Sequence, residues 1–98
     1  MKVKWTRKGQ QRLQQIYDYI AEDQPANALR FIDRLTLRVE IFAAHPRSGK
    51  IVSKYQRDDI REIYEDKYRI IYRILPDRID VLTVRHSARL LPDTLRKL

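Results

Sequence analysis

Apolar and polar residues alternate through the last third of the chain, and this period of two predicts a β-meander. The predicted strands span Ile60–Glu65, Tyr68–Leu75 and Arg78–Arg85, joined by turns at residues 66–67 and 76–77. In the middle strand, alternation divides the side chains between the two faces of the sheet. One face carries Tyr68, Ile70, Tyr72 and Ile74. The other face carries Arg69, Ile71, Arg73 and Leu75. In the third strand the same rule predicts Ile79, Val81 and Thr83 on one face. It predicts Leu82, Val84 and His86 on the other face.

Apolar residues recur at helical spacing in the first half of the chain, after a short alternating segment. Residues 1–5 alternate and predict a first strand, and Thr6 follows in the position of a helix N-cap. Amphipathic helices are predicted over Arg7–Ala21 and Pro25–Ala43. Pro25 suits the first helical position, where its missing N–H would have no partner. The connection over residues 22–24 is so short that the helices must form an antiparallel hairpin.

The segment between the second helix and the meander predicts little regular structure. Ser48 and Gly49 signal a turn, and residues 51–54 predict a short strand followed by a polar loop. The predicted order is β-α-α-β-β-β in a single α+β domain spanning residues 1–98, with the helix hairpin packed on one face of a small antiparallel sheet. One layer of helices covers only one face. The other face mixes arginine with apolar residues, and we predict that it forms a groove for a partner or substrate.

Charge narrows the class of partner. The 98 residues include 21 Lys and Arg against 13 Asp and Glu, a formal net charge of +8. Such a surface attracts nucleic acid, the ribosome or an acidic protein. No apolar stretch has the length of a membrane span and no signal-peptide pattern is visible, so we expect a cytoplasmic protein without a membrane partner. With no cysteine and two histidines far apart, we expect neither a metal site nor a cofactor.

The side chains needed to cleave RNA are all present. His86 has the pKa range of a general acid or base, and Glu62 or Glu65 could act as the base. An arginine could hold the phosphate in a bidentate contact, the candidates being Arg61, Arg69, Arg73 and Arg89. Tyr64 or Tyr68 could stack on a nucleotide base. These residue types permit a nuclease without identifying one.

Each of these residues also has a structural interpretation. His86 ends a strand beside a turn, where histidine often caps backbone carbonyl groups. Arg69 and Arg73 could instead form cross-strand ion pairs with Glu62, Glu65 or Asp80. Tyr68 shares its predicted face with isoleucines, which favours core packing. The sequence leaves these alternatives open.

Five segments, in the same order along the chain, carry a resemblance to a known family. They are IYDYIAEDQPANA at residues 16–28, HPRSG at 45–49, IREI at 60–63, YRIIYR at 68–73 and VRHSARLL at 84–91. Together with the predicted element order, they resemble the RelE/ParE superfamily of toxins from type II toxin–antitoxin modules. The resemblance covers essentially the whole chain.

The resemblance implies one of two activities. ParE-like members inhibit DNA gyrase by binding, and RelE-like members are endoribonucleases that cut mRNA on the ribosome. The long helix hairpin, with Glu22–Pro25 at its turn, is closer to the ParE branch, which we predict. The alternative is a RelE-like nuclease using His86 with Arg61 and with Arg69 or Arg73. A third possibility is a nucleic-acid-binding domain without toxicity.

The resemblance also implies a co-encoded antitoxin that wraps the toxin. We predict that an acidic or amphipathic antitoxin segment enters the groove as a strand or a helix. Its acids would meet Arg69, Arg73 or Arg89. The full set of residues predicted to contact the target or the antitoxin is Arg61, Arg69, Arg73, Arg85 and Arg89.

Overall fold

The structure, a computed structural model, describes residues 1–98 and has the six main elements in the predicted order, together with the short strand predicted between the second helix and the meander. The elements are β1 (Lys2–Trp5), α1 (Arg7–Ala21), α2 (Pro25–Ala43), β2 (Lys50–Ile51), β3 (Ile60–Glu65), β4 (Tyr68–Ile74) and β5 (Arg78–His86). Short 3-10 helices occupy Pro46–Ser48 and Asp93–Lys97. Both predicted helices are confirmed at both ends, and the three meander strands agree to within one residue. The strand predicted near residues 51–54 is shorter and begins one residue earlier.

The sheet has five strands in the order β1-β5-β4-β3-β2. Strands β2 to β5 pair antiparallel, as predicted. Strand β1 instead runs parallel to β5, with Val3 opposite Ile79 and Trp5 opposite Val81. The prediction of a wholly antiparallel sheet is therefore wrong at this edge, because alternation identifies a strand but carries no information about its partner.

The first turn of α1 is attached to β5 at the point where β1 ends. Thr6 caps the helix, as predicted, by accepting a hydrogen bond from the Gly9 N–H at 3.0 Å. The Val81 carbonyl accepts from both the backbone N–H of Thr6 (3.1 Å) and its hydroxyl (3.0 Å). A Cβ atom on Gly9 would lie 2.6 Å from the same carbonyl oxygen, so the approach requires glycine. Helix α1 consequently packs against β5.

The larger core lies between the helix hairpin and one face of the sheet. Ile70 and Tyr72 of β4 point into it, as the alternation predicted. The Tyr72 hydroxyl donates to the Pro46 carbonyl, and its ring occupies the space where Gly49 would carry a Cβ atom. Fully burying one large apolar side chain contributes about 1.5–3 kcal/mol, so this face provides most of the apolar stabilisation. Its buried members are Ile16, Phe31, Leu35, Val39, Ala43, Ile63, Ile70, Tyr72, Ile79, Val81 and Val84.

A β-bulge shifts the faces of β5 halfway along the strand. Tyr72 of β4 pairs with Val81, and the preceding Ile71 pairs with Thr83, so Leu82 is an extra residue in the ladder. Beyond the bulge the alternation is reversed, and Val84 joins the helix-side core while Leu82 joins the opposite face. The predicted faces of β5 are correct through Leu82 and wrong after it, because an inserted residue exchanges the two faces.

A second, smaller core covers the middle of the other face. The loop after β2 and the carboxy-terminal tail pack there against the sheet, and the buried residues are Val52, Tyr55, Ile60, Ile71, Leu82 and Leu91. The Tyr55 hydroxyl holds the tail by donating to the Pro92 carbonyl at 2.6 Å. The predicted open groove is therefore wrong for this region, because the protein's own loop and tail cover the apolar surface.

Candidate functional site

Arg61 lies on the helix side of β3, opposite Tyr72, and it is buried. Its guanidinium pairs with the Asp58 carboxylate at 2.8 Å. It also donates, at 2.8–3.0 Å, to the carbonyl oxygens of Arg47, Gly49 and Asp58. These contacts tie the loop before β2 to the start of β3. They use the Arg61 donors inside the protein.

Arg69 lies on the opposite face, where its side chain pairs with Glu62 on the neighbouring strand. Arg69 Nε and Nη2 donate to the two Glu62 carboxylate oxygens at 2.9 and 3.3 Å. The Glu62 side chain is only 4% exposed. Arg69 also sits directly opposite Arg85 of β5, and the Glu62 charge offsets the repulsion between these two cations. The cross-strand ion-pair interpretation is confirmed for Arg69.

Arg73 forms a similar contact at the other end of β4, although with a different partner from those predicted. Its Nε lies 3.3 Å from the Asp59 carboxylate, which also accepts two hydrogen bonds from Arg57. The hydrogen bond from Arg57 is the main cause of the lowered pKa of Asp59. Asp80, a predicted partner of Arg73, pairs instead with Arg78 at 2.7 Å.

The two remaining predicted arginines, Arg85 and Arg89, meet His86 at the carboxyl end of β5. All three line an open pocket of about 500 Å³ between this strand end and α1. The pocket is hereafter called the β5-end pocket. Its other lining residues are Arg12, Gln15, Ile16, Tyr19, Tyr68, Val84 and Ala88.

The β5-end pocket carries positive charge without a counter-ion. None of its lining residues is acidic, and Arg12, Arg85 and Arg89 form no ion pair. Arg85 donates from Nη1 to the Leu90 carbonyl at 3.1 Å, but its buried Nε has no partner. Burial, and next the charge of Arg12, lower the pKa of Arg85. The site is therefore suited to an anion.

His86 is held in a fixed orientation at the edge of this pocket. Its ring stands edge-on to the ring of Tyr68, with the centroids 5.6 Å apart. Its Nδ1 accepts a hydrogen bond from the Ala88 N–H at 3.1 Å. The predicted cap of a carbonyl group is therefore wrong, since His86 caps an N–H in the turn after β5. In the neutral imidazole this bond leaves the proton on Nε2, which can donate to a ligand.

The residues named for a nuclease do not converge on one site. His86 pairs with Tyr68 and Arg61 with Tyr72, four positions along β4, which corresponds to about 13 Å. Arg69 and Arg73 lie on the opposite face of the sheet.

The carboxylates that were candidates for the general base, and Tyr64, the other candidate for stacking, are also distant from His86. Glu62 and Tyr64 lie on the face of Arg69, while Glu65 lies 3.9–4.0 Å from Arg34 and Arg38 of α2. Of the nuclease candidates, only Arg89 and Tyr68 share the β5-end pocket with His86.

Sequence reasoning missed the contribution of α1 to the pocket. Neither Arg12 nor Tyr19 was among the predicted functional residues. Together with Gln15 and Ile16 they follow a spacing of three or four residues, which places them along one stripe of α1. That stripe was visible in the sequence. Its position beside His86 depends on the contact between α1 and β5, which sequence periodicity does not reveal.

Two further findings concern metal ions and membranes. No three His, Cys, Asp or Glu side chains are grouped in a way that could hold a metal ion. Neither helix combines the length and apolar character needed to cross a bilayer.

Comparison with known proteins adds independent information. Residues 3–91 match the family described as ParE toxin of type II toxin-antitoxin system, parDE. A candidate toxin of Sinorhizobium fredii, Y4kP, is 31% identical over 94 residues, which is 96% of each chain. Among solved structures, the chromosomal ParDE TA system from P. aeruginosa is similar with a TM-score of 0.74 and 22% identity, over 88% of this chain and 95% of that chain. At this identity the structural match bears on the fold alone.

The pairing of Arg69 with Glu62 predicts an asymmetric response to mutation. Arg69→Met leaves the buried Glu62 carboxylate without its counter-ion, and we expect a loss of about 3–5 kcal/mol in the free energy of unfolding. Arg69→Met combined with Glu62→Gln removes the stranded charge and recovers much of this loss. Urea unfolding of the three proteins measures the effect. A double variant no more stable than Arg69→Met would show that the ion pair is not what stabilises this face.

Proposed function

Because this chain belongs to the ParE toxin family of type II toxin–antitoxin systems, we propose that it arrests growth by binding DNA gyrase, without cleaving a bond in its target. The observation that carries this proposal is the separation of the nuclease candidates. Arg61, Arg69 and Arg73 are engaged by internal carboxylates or carbonyl groups, and none of them lies beside His86. Cleavage needs an acid, a base and a cation around one phosphate, whereas inhibition by binding needs only a complementary surface.

The surface that contacts the target is proposed to centre on Arg85 and Arg89. These two cations have no internal carboxylate partner, so an anionic surface can approach them without displacing an existing ion pair. Arg61, Arg69 and Arg73 then act mainly by fixing β3, β4 and their loops. The toxin works in the cytoplasm, where its target is located.

His86 supports the RelE-like alternative more than any other residue. It lies beside arginines in an open pocket and can donate a proton from Nε2. In that alternative His86 would be the general acid in mRNA cleavage, with Arg85 and Arg89 in place of Arg61, Arg69 and Arg73. No carboxylate lines the pocket to act as the base.

Membership of the family implies a cognate antitoxin, and we place its amphipathic segment on the helix hairpin. A pocket of about 480 Å³ opens on the outer surface of the hairpin between Leu13, Tyr17, Leu29 and Ile32. Leu29 is 56% exposed there. Apolar antitoxin side chains would fill this pocket in the manner of a helix packed in a groove. Acidic antitoxin residues would meet Arg89, since Arg69 and Arg73 already have carboxylate partners.

A supercoiling assay tests the target. Purified toxin, titrated into gyrase with ATP and relaxed plasmid, is expected to inhibit supercoiling and to trap cleaved DNA. His86→Ala should retain inhibition, because binding needs no acid–base chemistry, and His45→Ala serves as the matched control. Failure of a folded sample to inhibit, together with mRNA cleavage on the ribosome that His86→Ala abolishes, would contradict the proposal and favour the nuclease.

A charge placed in the hairpin pocket tests the antitoxin site. Leu29→Asp is expected to weaken binding of the co-encoded antitoxin by about tenfold or more, as loss of a central apolar anchor does. Ile41→Asp is the matched control, because Ile41 is similarly exposed but lies about 18 Å further along α2. Isothermal titration calorimetry measures both. Equal affinities for the two variants would exclude the hairpin pocket as the antitoxin site.

A further inference from the structure

The charges of the β5-end pocket match a phosphate group. Three arginines from α1, β5 and the turn after β5 line it, and none of its lining residues is Asp or Glu. Guanidinium groups bind phosphate through paired N–H donors, and the imidazole of His86 adds a further donor. Arg85 has no carboxylate partner, and its hydrogen bond inside the protein runs from Nη1 to the Leu90 carbonyl, so its charge is left uncompensated beside the pocket.

The rim of the pocket offers an aromatic surface beside these charges. The Tyr19 side chain is 73% exposed, although tyrosine usually buries much of its ring when no partner is involved. Tyr68, behind it, is fixed between Phe31 and His86, with ring centroids 5.3 and 5.6 Å away. A flat exposed ring next to a cationic pocket is the arrangement on which an unpaired nucleotide base stacks.

The apolar residues of the pocket are not accessible enough to anchor a peptide. Ile16 and Val84 form its floor, and they are only 8% and 1% exposed. Protein segments gain much of their affinity from large apolar side chains in apolar pockets, and the only accessible aliphatic residue that lines this pocket is the small Ala88. Its accessible side chains, apart from Gln15 and Ala88, are arginine, histidine and tyrosine, the combination used for nucleic-acid strands.

We propose that the β5-end pocket binds a single-stranded nucleic acid, with Arg12, Arg85 and Arg89 around one phosphodiester and Tyr19 stacked on an adjacent base. This binding is additional to inhibition of gyrase. The site shares Arg85 and Arg89 with the surface proposed to contact the target, but the strand binds without gyrase. The strand could be DNA or RNA, since both present the same phosphodiester and unpaired bases.

Fluorescence anisotropy with labelled dT12 and U12 oligonucleotides tests this site on the isolated protein. Arg12→Gln combined with Arg89→Gln should weaken binding about tenfold or more at low salt, and should reduce the slope of log affinity against log salt by about one. Arg7→Gln combined with Arg30→Gln removes the same charge from exposed positions outside the pocket and should have little effect. Thermal unfolding of each variant confirms that it is folded.

The stacking contact has its own test. Tyr19→Ala should weaken binding about fivefold or more, whereas Tyr19→Phe keeps the ring and should bind like the unaltered protein. The oligonucleotide that binds more tightly, dT12 or U12, shows whether the site prefers DNA or RNA. A preference for either one supports the proposed site.

Several results would overturn the proposal. Equal weakening by the two double-arginine variants would mean that only net charge attracts the oligonucleotide. Absence of oligonucleotide binding at low salt, or a poly-glutamate peptide that binds more tightly with the same dependence on Arg12 and Arg89, would assign the pocket to an acidic protein. Because no gyrase is present, these outcomes leave the supercoiling assay as a separate test of the proposed target.

Discussion

The contact between the first turn of α1 and the Val81 carbonyl determines the geometry of the functional end of the molecule. One carbonyl oxygen accepts from both the N–H and the hydroxyl of Thr6, and Gly9 allows the helix to approach it closely. The contact ends β1, starts α1 and sets the helix beside β5. As a result, Arg12 and Tyr19 of α1 lie beside Arg85 and His86. The arrangement of residues around the β5-end pocket therefore depends on the contact that the first turn of α1 makes with β5.

The five arginines predicted to contact a target or the antitoxin divide into two groups by their partners. Those on β3 and β4 pair with Asp58, Asp59 or Glu62 and hold loops or strands in place. Those around the end of β5 have no carboxylate and form a positive surface. A formal net charge of +8 indicates attraction to a polyanion, but it does not identify the part of the surface that binds the polyanion. Among these five arginines, Arg85 and Arg89 are the two that the protein's own acids leave uncompensated, and both line the β5-end pocket.

The sequence predicted those features that depend on neighbouring residues. The helix ends were correct because Thr6 and Pro25 are local start signals and the apolar period is local. The parallel pairing of β1, the reversed faces of β5 after Leu82 and the covering of the second face by the tail all depend on residues distant in the chain. For the same reason Arg85, Arg89 and His86 could be named in advance, whereas their neighbours on α1 could not.

Replacing Gly9 with alanine tests the central role of the contact between α1 and β5. Helix propensity alone predicts that Gly9→Ala stabilises the protein by up to about 1 kcal/mol. The close approach of the Val81 carbonyl predicts the opposite sign, a loss of about 1–3 kcal/mol from the steric overlap. The same steric overlap is expected to alter the amide NMR shifts of Arg85 to Arg89. Gln11→Ala serves as the control for the effect of helix propensity alone. A gain in the free energy of unfolding with unchanged shifts in that segment would contradict the account.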